Sequence, residues 1–172
     1  MRHLFIWLKA GKPIKSYNQE FRISLRSWIT DCDRNIHVNT ARYFVYMELA
    51  RFDLSLRSGL YNFCYGNKIA PLVMGAKITY RREIKPFKKI EVVTKILGFD
   101  NRFMYFKQKI LSSAGVHSLG YLRIALYKDG KFYPPEKLLH DLDVSFVNSP
   151  LPQDVQMWIE ADNLVLAELK EP

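Results

Sequence analysis

The densest cluster of polar and ionisable residues directly precedes the longest predicted helix of the chain. It runs from Asp31 to Thr40 and reads Asp-Cys-Asp-Arg-Asn-Ile-His-Val-Asn-Thr. The first amides of a helix have no intrahelical acceptor and lie at the positive end of the helix dipole, so they can stabilise a developing oxyanion. A carboxylate a few residues upstream, such as Asp33, can reach the same place as a nucleophile or a general base. Because Asn35 and His37 could hold that carboxylate or a water molecule, the cluster favours acyl chemistry.

The same residue types also have a structural interpretation. Asp, Asn and Thr before a helix are ordinary capping residues, because their side-chain oxygens accept hydrogen bonds from the free amides of the first turn. A lone histidine near a helix cap usually has a structural role as well. From residue types alone, both interpretations stay open.

A strand and a helix must position the polar cluster. Apolar and polar residues alternate from Phe21 to Arg26, which predicts a half-buried strand. The helix is predicted from about Asn39 to Ser58, with Asn39 or Thr40 as its cap and Gly59 as the left-handed residue that ends it. Its apolar residues cover most of its circumference, so we expect it to be buried on most sides. These residues are Ala41, Tyr43, Phe44, Val45, Tyr46, Met47, Leu49, Phe52, Leu54 and Leu56.

Four further strands and a last helix complete the predicted fold. The strands are expected over Met74–Glu83, Ile90–Leu97, Phe103–Leu111 and Val116–Tyr127. Short connections imply antiparallel neighbours, and Asp129-Gly130 is a hairpin signal. The helix is amphipathic and is predicted from Gln153 to Leu169. A buried helix needs partners on most sides and a curved antiparallel sheet supplies them, so the predicted fold class is α+β.

Composition predicts one compact domain. The 172 residues are 48% hydrophobic and 25% charged, with 8 Gly and 8 Pro, which excludes a disordered or low-complexity chain. We expect a single domain over residues 1–172, with its core at about 20–133 and a C-terminal extension that carries the last helix. The net charge of +9 favours anionic partners, but the basic residues are dispersed and no nucleic-acid-binding motif accompanies them. A nucleic-acid partner is therefore not expected.

Cysteine content and the N-terminal residues bear on the compartment. The two cysteines, Cys32 and Cys64, cannot form a disulfide framework or a CxxC zinc site, so reduced thiols are expected. The apolar run at residues 4–8 is far shorter than the roughly 20 residues of a membrane-spanning helix. We expect this run to pack on the domain or on a neighbouring subunit, with binding to a membrane surface as the alternative. A cytoplasmic protein without a transmembrane segment is predicted.

The spacing within and after the polar cluster resembles that of a known family. The pattern Asp31-Cys-Asp33-x-x-x-His37-x-Asn39-x-x-x-Tyr43, followed by Glu48-Leu-Ala50-Arg51, is similar to the signature of hotdog-fold acyl thioesterases, the 4-hydroxybenzoyl-CoA thioesterase superfamily. The portion Asp33-x-Asn35-x-His37-Val-Asn39 also resembles the plant acyl-carrier-protein thioesterases. Together with Leu97-Gly98-Phe99-Asp100 and Asp154…Trp158-Ile159, the pattern looks most like the thioesterase superfamily member 6 group.

This resemblance implies a fold, a reaction and roles for individual residues. The fold would be a hotdog, a long central helix wrapped by a curved antiparallel sheet, and the reaction would be hydrolysis of an acyl-CoA without a metal or organic cofactor. Asp33 matches the carboxylate that attacks the thioester or activates water, and Asn35 and His37 match the polar pair of the carrier-protein enzymes. The backbone amides of Asn39 and Thr40 match the oxyanion site. The implied assembly is a homodimer or a dimer of dimers.

Two other functions are compatible with the same fold. One is an acyl-carrier-protein thioesterase, and the other is a non-catalytic protein that binds an acyl group or a lipid. The sequence also offers candidate contacts for the phosphates of CoA between two predicted strands, although a solvated hairpin end is an equally good interpretation. These candidates are Arg81, Arg82, Lys85 and Lys88.

Two further residues invite a catalytic interpretation, but a structural one is favoured. Glu48 lies nine residues into the predicted buried helix, where a carboxylate is costly unless it is paired, and Arg51 is the expected partner. Cys32 adjoins Asp33, but no histidine is fixed beside it by spacing, so a cysteine nucleophile is not expected.

Overall fold

The structure, a computed structural model, describes residue 14 and residues 16–169. The apolar run at residues 4–8 lies outside these residues. The strands are β1 (Glu20–Arg26), β2 (Ala70–Tyr80), β3 (Lys89–Phe99), β4 (Phe103–Ser112), β5 (Gly115–Lys128) and β6 (Lys131–Phe132). The helices are α1 (Thr40–Arg57), α2 (Leu60–Gly66), α3 (Pro135–Asp141) and α4 (Gln153–Glu168), with a 3₁₀ turn at Ile29–Asp31.

The strands form one antiparallel sheet in the order β1-β3-β4-β5-β2, and β6 pairs with the end of β5. The predicted hairpin is confirmed, because Tyr127 pairs with Phe132 across a turn in which Asp129 and Gly130 both have positive φ angles. One face of the sheet curves around α1, and β2 is an edge strand. The predicted α+β class, with a long helix wrapped by an antiparallel sheet, is confirmed.

The start of α1 follows the sequence prediction closely. Asn39 is the N-cap, and its side-chain oxygen accepts from the Ala41 N–H at 2.9 Å. Gly59 adopts the predicted left-handed conformation, with a φ of 78°. The short helix α2 begins directly after it. A left-handed glycine is typical of a helix end, so the sequence did not predict α2.

The face that α1 buries is narrower than predicted. Tyr43, Tyr46 and Met47 lie in the core, while Phe44 is 38% exposed. Glu48 lies on the same exposed side of the helix. Within the described residues one side of α1 therefore has no covering layer, so the expectation of burial on most sides is only partly right.

The second face of the sheet is covered by α4, which the sequence predicted as an amphipathic helix. Val155 and Trp158 are buried against Tyr105 and Tyr121. The helix is also held by polar contacts, since the Tyr121 hydroxyl donates to the carboxylate of Asp154. The sheet thus has α1 on one face and α4 on the other, and both its faces carry buried side chains.

The short helix α3 was not predicted. It follows Pro134 and begins at Pro135, a position where proline is tolerated because the first amide of a helix has no intrahelical acceptor. Within the described residues no helix is long and apolar enough to cross a membrane.

Candidate active site

The predicted site begins with a tight loop between the 3₁₀ turn and α1. Cys32 and Val38 form an isolated antiparallel bridge that closes the loop. Inside it, the Asp33 N–H donates to the His37 carbonyl at 3.0 Å, and the Ile36 N–H donates to the Asp33 carbonyl at 3.1 Å. Ile36 adopts a φ of 57°, which a β-branched residue seldom tolerates. The backbone therefore holds Asp33 and His37 opposite each other.

The Asp33 carboxylate has one hydrogen bond and one histidine neighbour. Its Oδ1 accepts from the Asn35 N–H at 2.9 Å. Its Oδ2 lies 3.5 Å from His37 Nδ1, and the two side chains are 29% and 30% exposed, respectively. The carboxylate is oriented from two sides yet accessible to a substrate. The structure thus brings Asp33, Asn35 and His37 together, with Asn35 contributing its backbone amide while its side chain is exposed.

The two predicted oxyanion amides differ in their surroundings. The Asn39 N–H already donates to the Asp31 carbonyl at 2.9 Å. Thr40 is the first residue of α1, and its N–H makes no hydrogen bond with the described part of the chain. The Thr40 amide is therefore the better placed of the two to accept a negative charge.

A buried carboxylate, Asp31, joins the loop to the helix. Its side chain is 2% exposed, and its Oδ2 accepts from the Trp28 N–H at 2.8 Å and from the Tyr46 hydroxyl at 2.9 Å. Its Oδ1 lies 3.6 Å from Arg42 Nε. Because Tyr46 and Arg42 belong to α1, these contacts fix the helix start against the loop that carries Asp33. The sequence analysis placed Asp31 in the polar cluster but gave it no role.

The segment with the four predicted phosphate-binding residues lies beside this loop. The Val38 N–H donates to the Ile84 carbonyl at 2.8 Å, which attaches the segment to the end of the loop. Two of the four side chains have partners, since the Arg82 guanidinium donates to the Ala114 carbonyl and Lys85 Nζ lies 2.8 Å from the Glu83 carboxylate. All four are exposed, namely Arg81, Arg82, Lys85 and Lys88.

The comparisons with known proteins bear on what this arrangement is for. Residues 27–159 match the family model described as the thioesterase-like superfamily, a range that includes the loop, α1 and the whole of the sheet beyond β1. The chain belongs to the thioesterase-like superfamily. Membership of this family supports thioester hydrolysis as the general class of reaction.

Relatives and solved structures agree with this assignment. Protein THEM6 of Xenopus laevis is 26% identical over 141 residues, which are 81% of this chain and 67% of the relative. The crystal structure of YbaW, a probable thioesterase from Escherichia coli, matches with a TM-score of 0.66 and 22% identity over 72% of this chain and 96% of YbaW. The DHNA-CoA thioesterase of Staphylococcus aureus matches with a TM-score of 0.65 and 18% identity over 86% of this chain and 91% of that one. These similarities confirm the hotdog fold expected from the sequence.

Within this thioesterase-like chain, Glu48 and Arg51 differ from expectation. Glu48 is exposed, so the prediction of a buried carboxylate is wrong. Arg51 Nη1 donates to Gln108 Oε1 at 2.7 Å. Burial lowers the pKa of Arg51 to about 10, and the negative charge of Glu48 partly opposes this effect. Gln108 is held in turn, since its Nε2 donates to the Met47 carbonyl and to the Thr94 hydroxyl.

The two cysteines have environments that suppress nucleophilicity. Burial raises the pKa of the Cys32 thiol, and the charges of Asp31 and Asp33 raise it further. Burial raises the pKa of the Cys64 thiol to about 11. Both thiols are therefore protonated at neutral pH, and the thiolate is the reactive form.

A cavity of about 420 Å³ lies elsewhere in this thioesterase-like fold. It is a half-open cleft bounded by the C-terminal half of α1, by α2 and by the concave face of the sheet. None of the predicted site residues lines it. The candidate active site is therefore a shallow loop-and-helix arrangement in the single chain, separate from the cavity. Among the residues described, no group of three or more His, Cys, Asp or Glu side chains could hold a metal ion.

Proposed function

We propose that this protein hydrolyses an acyl-CoA thioester. The observation that carries the proposal is that one short loop holds a partly exposed carboxylate and leads directly into a helix whose first amide is open. The Asn35 N–H and His37 orient Asp33. Thr40 is the first residue of α1, and the loop that carries Asp33 is hydrogen-bonded to the start of this helix. Acyl transfer requires a group that attacks the carbonyl carbon, here a carboxylate, and a donor that stabilises the carbonyl oxygen, here an amide.

The proposed reaction follows from these positions. Asp33 takes a proton from a water molecule whose oxygen attacks the thioester carbonyl carbon, or its own oxygen attacks that carbon and water then hydrolyses the mixed anhydride. In both routes the carbonyl oxygen gains negative charge, which the Thr40 N–H and the helix dipole stabilise. The carbon–sulfur bond then breaks, and the CoA thiolate takes up the proton held by Asp33 or one from solvent. In the second route this step forms the anhydride, and its hydrolysis by water releases the acid and restores the Asp33 carboxylate.

The basic segment between β2 and β3 supports CoA as the carrier. Its Arg and Lys side chains are exposed beside the Asp33 loop, where they could contact the phosphates of the CoA nucleotide. Arginine can do so through two parallel hydrogen bonds and lysine through its point charge. We assign this role to Arg81, Arg82, Lys85 and Lys88. An acyl-carrier protein is the alternative carrier, since it presents a single phosphate and an acidic surface.

The proposal includes a homodimer. Strand β2 forms an edge of the sheet, and its exposed residues include Leu72 and Met74, at 46% and 39% exposure. An unpaired edge with apolar side chains is a surface on which a second strand can add. The exposed side of α1, with Phe44, would be covered in the same assembly. A dimer of dimers is the alternative.

The experiment that tests the function is thiol release from acyl-CoA and from acyl-carrier protein carrying the same acyl group. We expect turnover, with a higher kcat/KM for the CoA substrate that falls as salt is added, because phosphate contacts are screened. The separate cavity favours the non-catalytic alternative, which predicts ligand binding without turnover. A binding protein would be purified with a stoichiometric acyl ligand and would release no thiol from either substrate.

A further inference from the structure

The cavity has the character of a site for an alkyl chain. Its lining is mainly aliphatic and aromatic, and one wall is the unpredicted helix α2. The Cys64 thiol in that wall is 5% exposed and, with its raised pKa, carries no charge. The aliphatic and aromatic side chains that line the cavity include Leu54, Leu60, Ile69, Met104, Phe106 and Leu126. Pockets of this size with apolar walls bind small apolar ligands, and a few polar groups orient them.

The charged groups of the cavity are confined to one part of it. Among the lining residues that the structure describes, Glu48 and Arg51 are the only charged ones, and they lie one turn apart on α1. The guanidinium of Arg51 is held by one hydrogen bond, to the neutral oxygen of Gln108 at 2.7 Å. This is the only hydrogen bond that it makes with the described residues, and an arginine carries five N–H donors. Arg51 therefore presents a fixed cation with donors left for a ligand.

The size of the cavity limits the ligand. A methylene group takes up about as much space as a water molecule, about 30 Å³. A volume of about 420 Å³ thus corresponds to a chain of at most about 14 carbons. A chain that begins at Arg51 would run along α1 towards the apolar side chains of α2 that line the cavity.

We propose that this cavity binds a fatty carboxylate of about 10–14 carbons, with its head group on Arg51 and its chain against α2. A carboxylate matches the planar donor fork of a guanidinium and can accept two parallel hydrogen bonds from it. As a statement about the acyl substrate, the inference rests on the proposed function, since a fatty carboxylate is the acid that hydrolysis of a fatty acyl thioester releases. The binding itself does not require Asp33.

The charge of Arg51 makes the proposal testable, because it attracts a carboxylate and not a neutral head group. Displacement of a dansyl-labelled fatty acid by laurate and by 1-dodecanol measures the two ligands on the full chain. We expect laurate to bind at least about tenfold more tightly than the alcohol, because a hydrogen bond to a charged group is worth more than one to a neutral group.

The variants separate the head group from the chain. Arg51→Gln should abolish the preference for laurate and leave the affinity for dodecanol nearly unchanged. Arg102→Gln, at the exposed hairpin between β3 and β4, is the matched control and should change neither. Equal affinities of the wild-type chain for the acid and the alcohol, or an unchanged preference in Arg51→Gln, would overturn the proposal.

Chain length tests the fit to the cavity without any mutation. Affinity should rise about fourfold for each added methylene and stop rising at about 14 carbons, where the cavity is full. No binding, or a rise that continues unchanged beyond 16 carbons, would contradict the assignment. Cys64→Phe should shorten the longest accepted chain, and the wild-type series decides the matter if this variant does not fold.

The same assay distinguishes this inference from the proposed function. Asp33→Asn should bind laurate as the wild type does while losing thioester hydrolysis. Hydrolysis without fatty-acid binding would refute the inference alone, and binding without hydrolysis by the wild type would refute the proposed function alone.

Discussion

The chemistry proposed for single residues depends on which backbone amides are occupied. In the loop before α1, the amides of Asp33, Asn35 and Ile36 are used to shape the turn and orient the carboxylate. The Asn39 amide is used to attach the helix to Asp31. Within α1 the first amide that has no acceptor among the described residues is that of Thr40, so the oxyanion role falls on the backbone of a residue whose side chain need not take part.

Replacing Thr40 tests this assignment directly. Proline removes the N–H but fits the first position of a helix, and Asn39 already has the extended conformation, with φ −60° and ψ 142°, that a residue before proline prefers. We expect Thr40→Pro to lower kcat about 100- to 1,000-fold, with Thr40→Ala close to the wild type. Steady-state thiol release measures both variants, and circular dichroism checks that α1 is retained. Equal kcat values for the two would remove this amide from the mechanism.

The buried carboxylate of Asp31 leads to a prediction about stability. Tyr46→Phe removes a hydrogen bond to a buried charged group, and we expect the free energy of unfolding to fall by about 1.5–3 kcal/mol. Tyr65→Phe is the matched control, because Tyr65 is 80% exposed. Urea unfolding measures both variants. A Tyr46→Phe variant as stable as the control would show that the Asp31 network does not hold the loop to the helix.

The sequence predicted part of this site and missed the rest for a physical reason. The positions of Asp33 and His37 followed from spacing and family resemblance, since short-range spacing largely determines which groups a tight turn brings together. The role of Asp31 depends on Tyr46, which lies 15 residues away, and on which side chains pack around α1. Nothing in the sequence distinguishes this carboxylate, which is buried, from Asp33, which is accessible.

At the scale of whole elements, the regular strands and the two long helices were predictable and the short helices were not. Alternation and turn residues locate β1, β3, β4 and β5 to within a few residues, because each strand has its own pattern. The helix α2 has seven residues and follows a left-handed glycine, which predicts the end of a helix. Its stability comes from packing over the cavity, which only the assembled sheet defines. For the same reason the cavity could not be predicted.

The docking of α4 should depend on pH through one carboxylate. The hydrogen bond from the Tyr121 hydroxyl lowers the pKa of Asp154, so the ionised form is favoured in the folded state. A lowered pKa stabilises the fold above the unfolded-state pKa of about 3.9, and this contribution is lost as the pH falls through the lower folded-state value.

Tyr121→Phe tests this effect. At neutral pH the loss of one hydrogen bond, about 1 kcal/mol, should lower the melting temperature by about 2–4 °C. The difference from the wild type should shrink at pH values below about 3.9. Tyr127→Phe, which removes a hydroxyl that is not bonded to a carboxylate, is the control. A difference that stays constant with pH would mean that Asp154 does not contribute through its charge.

At the scale of the whole molecule, the part of the chain that the structure describes leaves one sheet edge and one helix face uncovered. Strand β2 is exposed along most of its length, and the side of α1 that carries Phe44 faces outward. The sequence predicted burial of α1 on most sides, so the exposed side of this helix departs from that prediction. A second copy that covers both surfaces would account for the apolar residues of α1 that the single chain leaves exposed.

The assembly can be tested by charging the edge. The double variant Leu72→Lys and Met74→Lys places two like charges on each β2 strand, which should prevent edge-to-edge pairing. In analytical ultracentrifugation we expect the wild type at twice the chain mass of 20.2 kDa and the variant at the mass of one chain. A wild-type protein that sediments at the mass of one chain would contradict the dimer. The double variant would then have the same mass as the wild type.

The most direct test of the whole account is the kcat of Asp33→Asn for a fatty acyl-CoA that the wild type hydrolyses. The amide is nearly isosteric with the carboxylate and keeps an oxygen that can accept from the Asn35 N–H, but it can neither accept the proton of water nor attack the carbonyl effectively. Asp129→Asn, at an exposed hairpin position where asparagine is tolerated, is the control. The account predicts a loss of at least about 100-fold for Asp33→Asn, with the control unchanged. A kcat for Asp33→Asn equal to that of the control would contradict it.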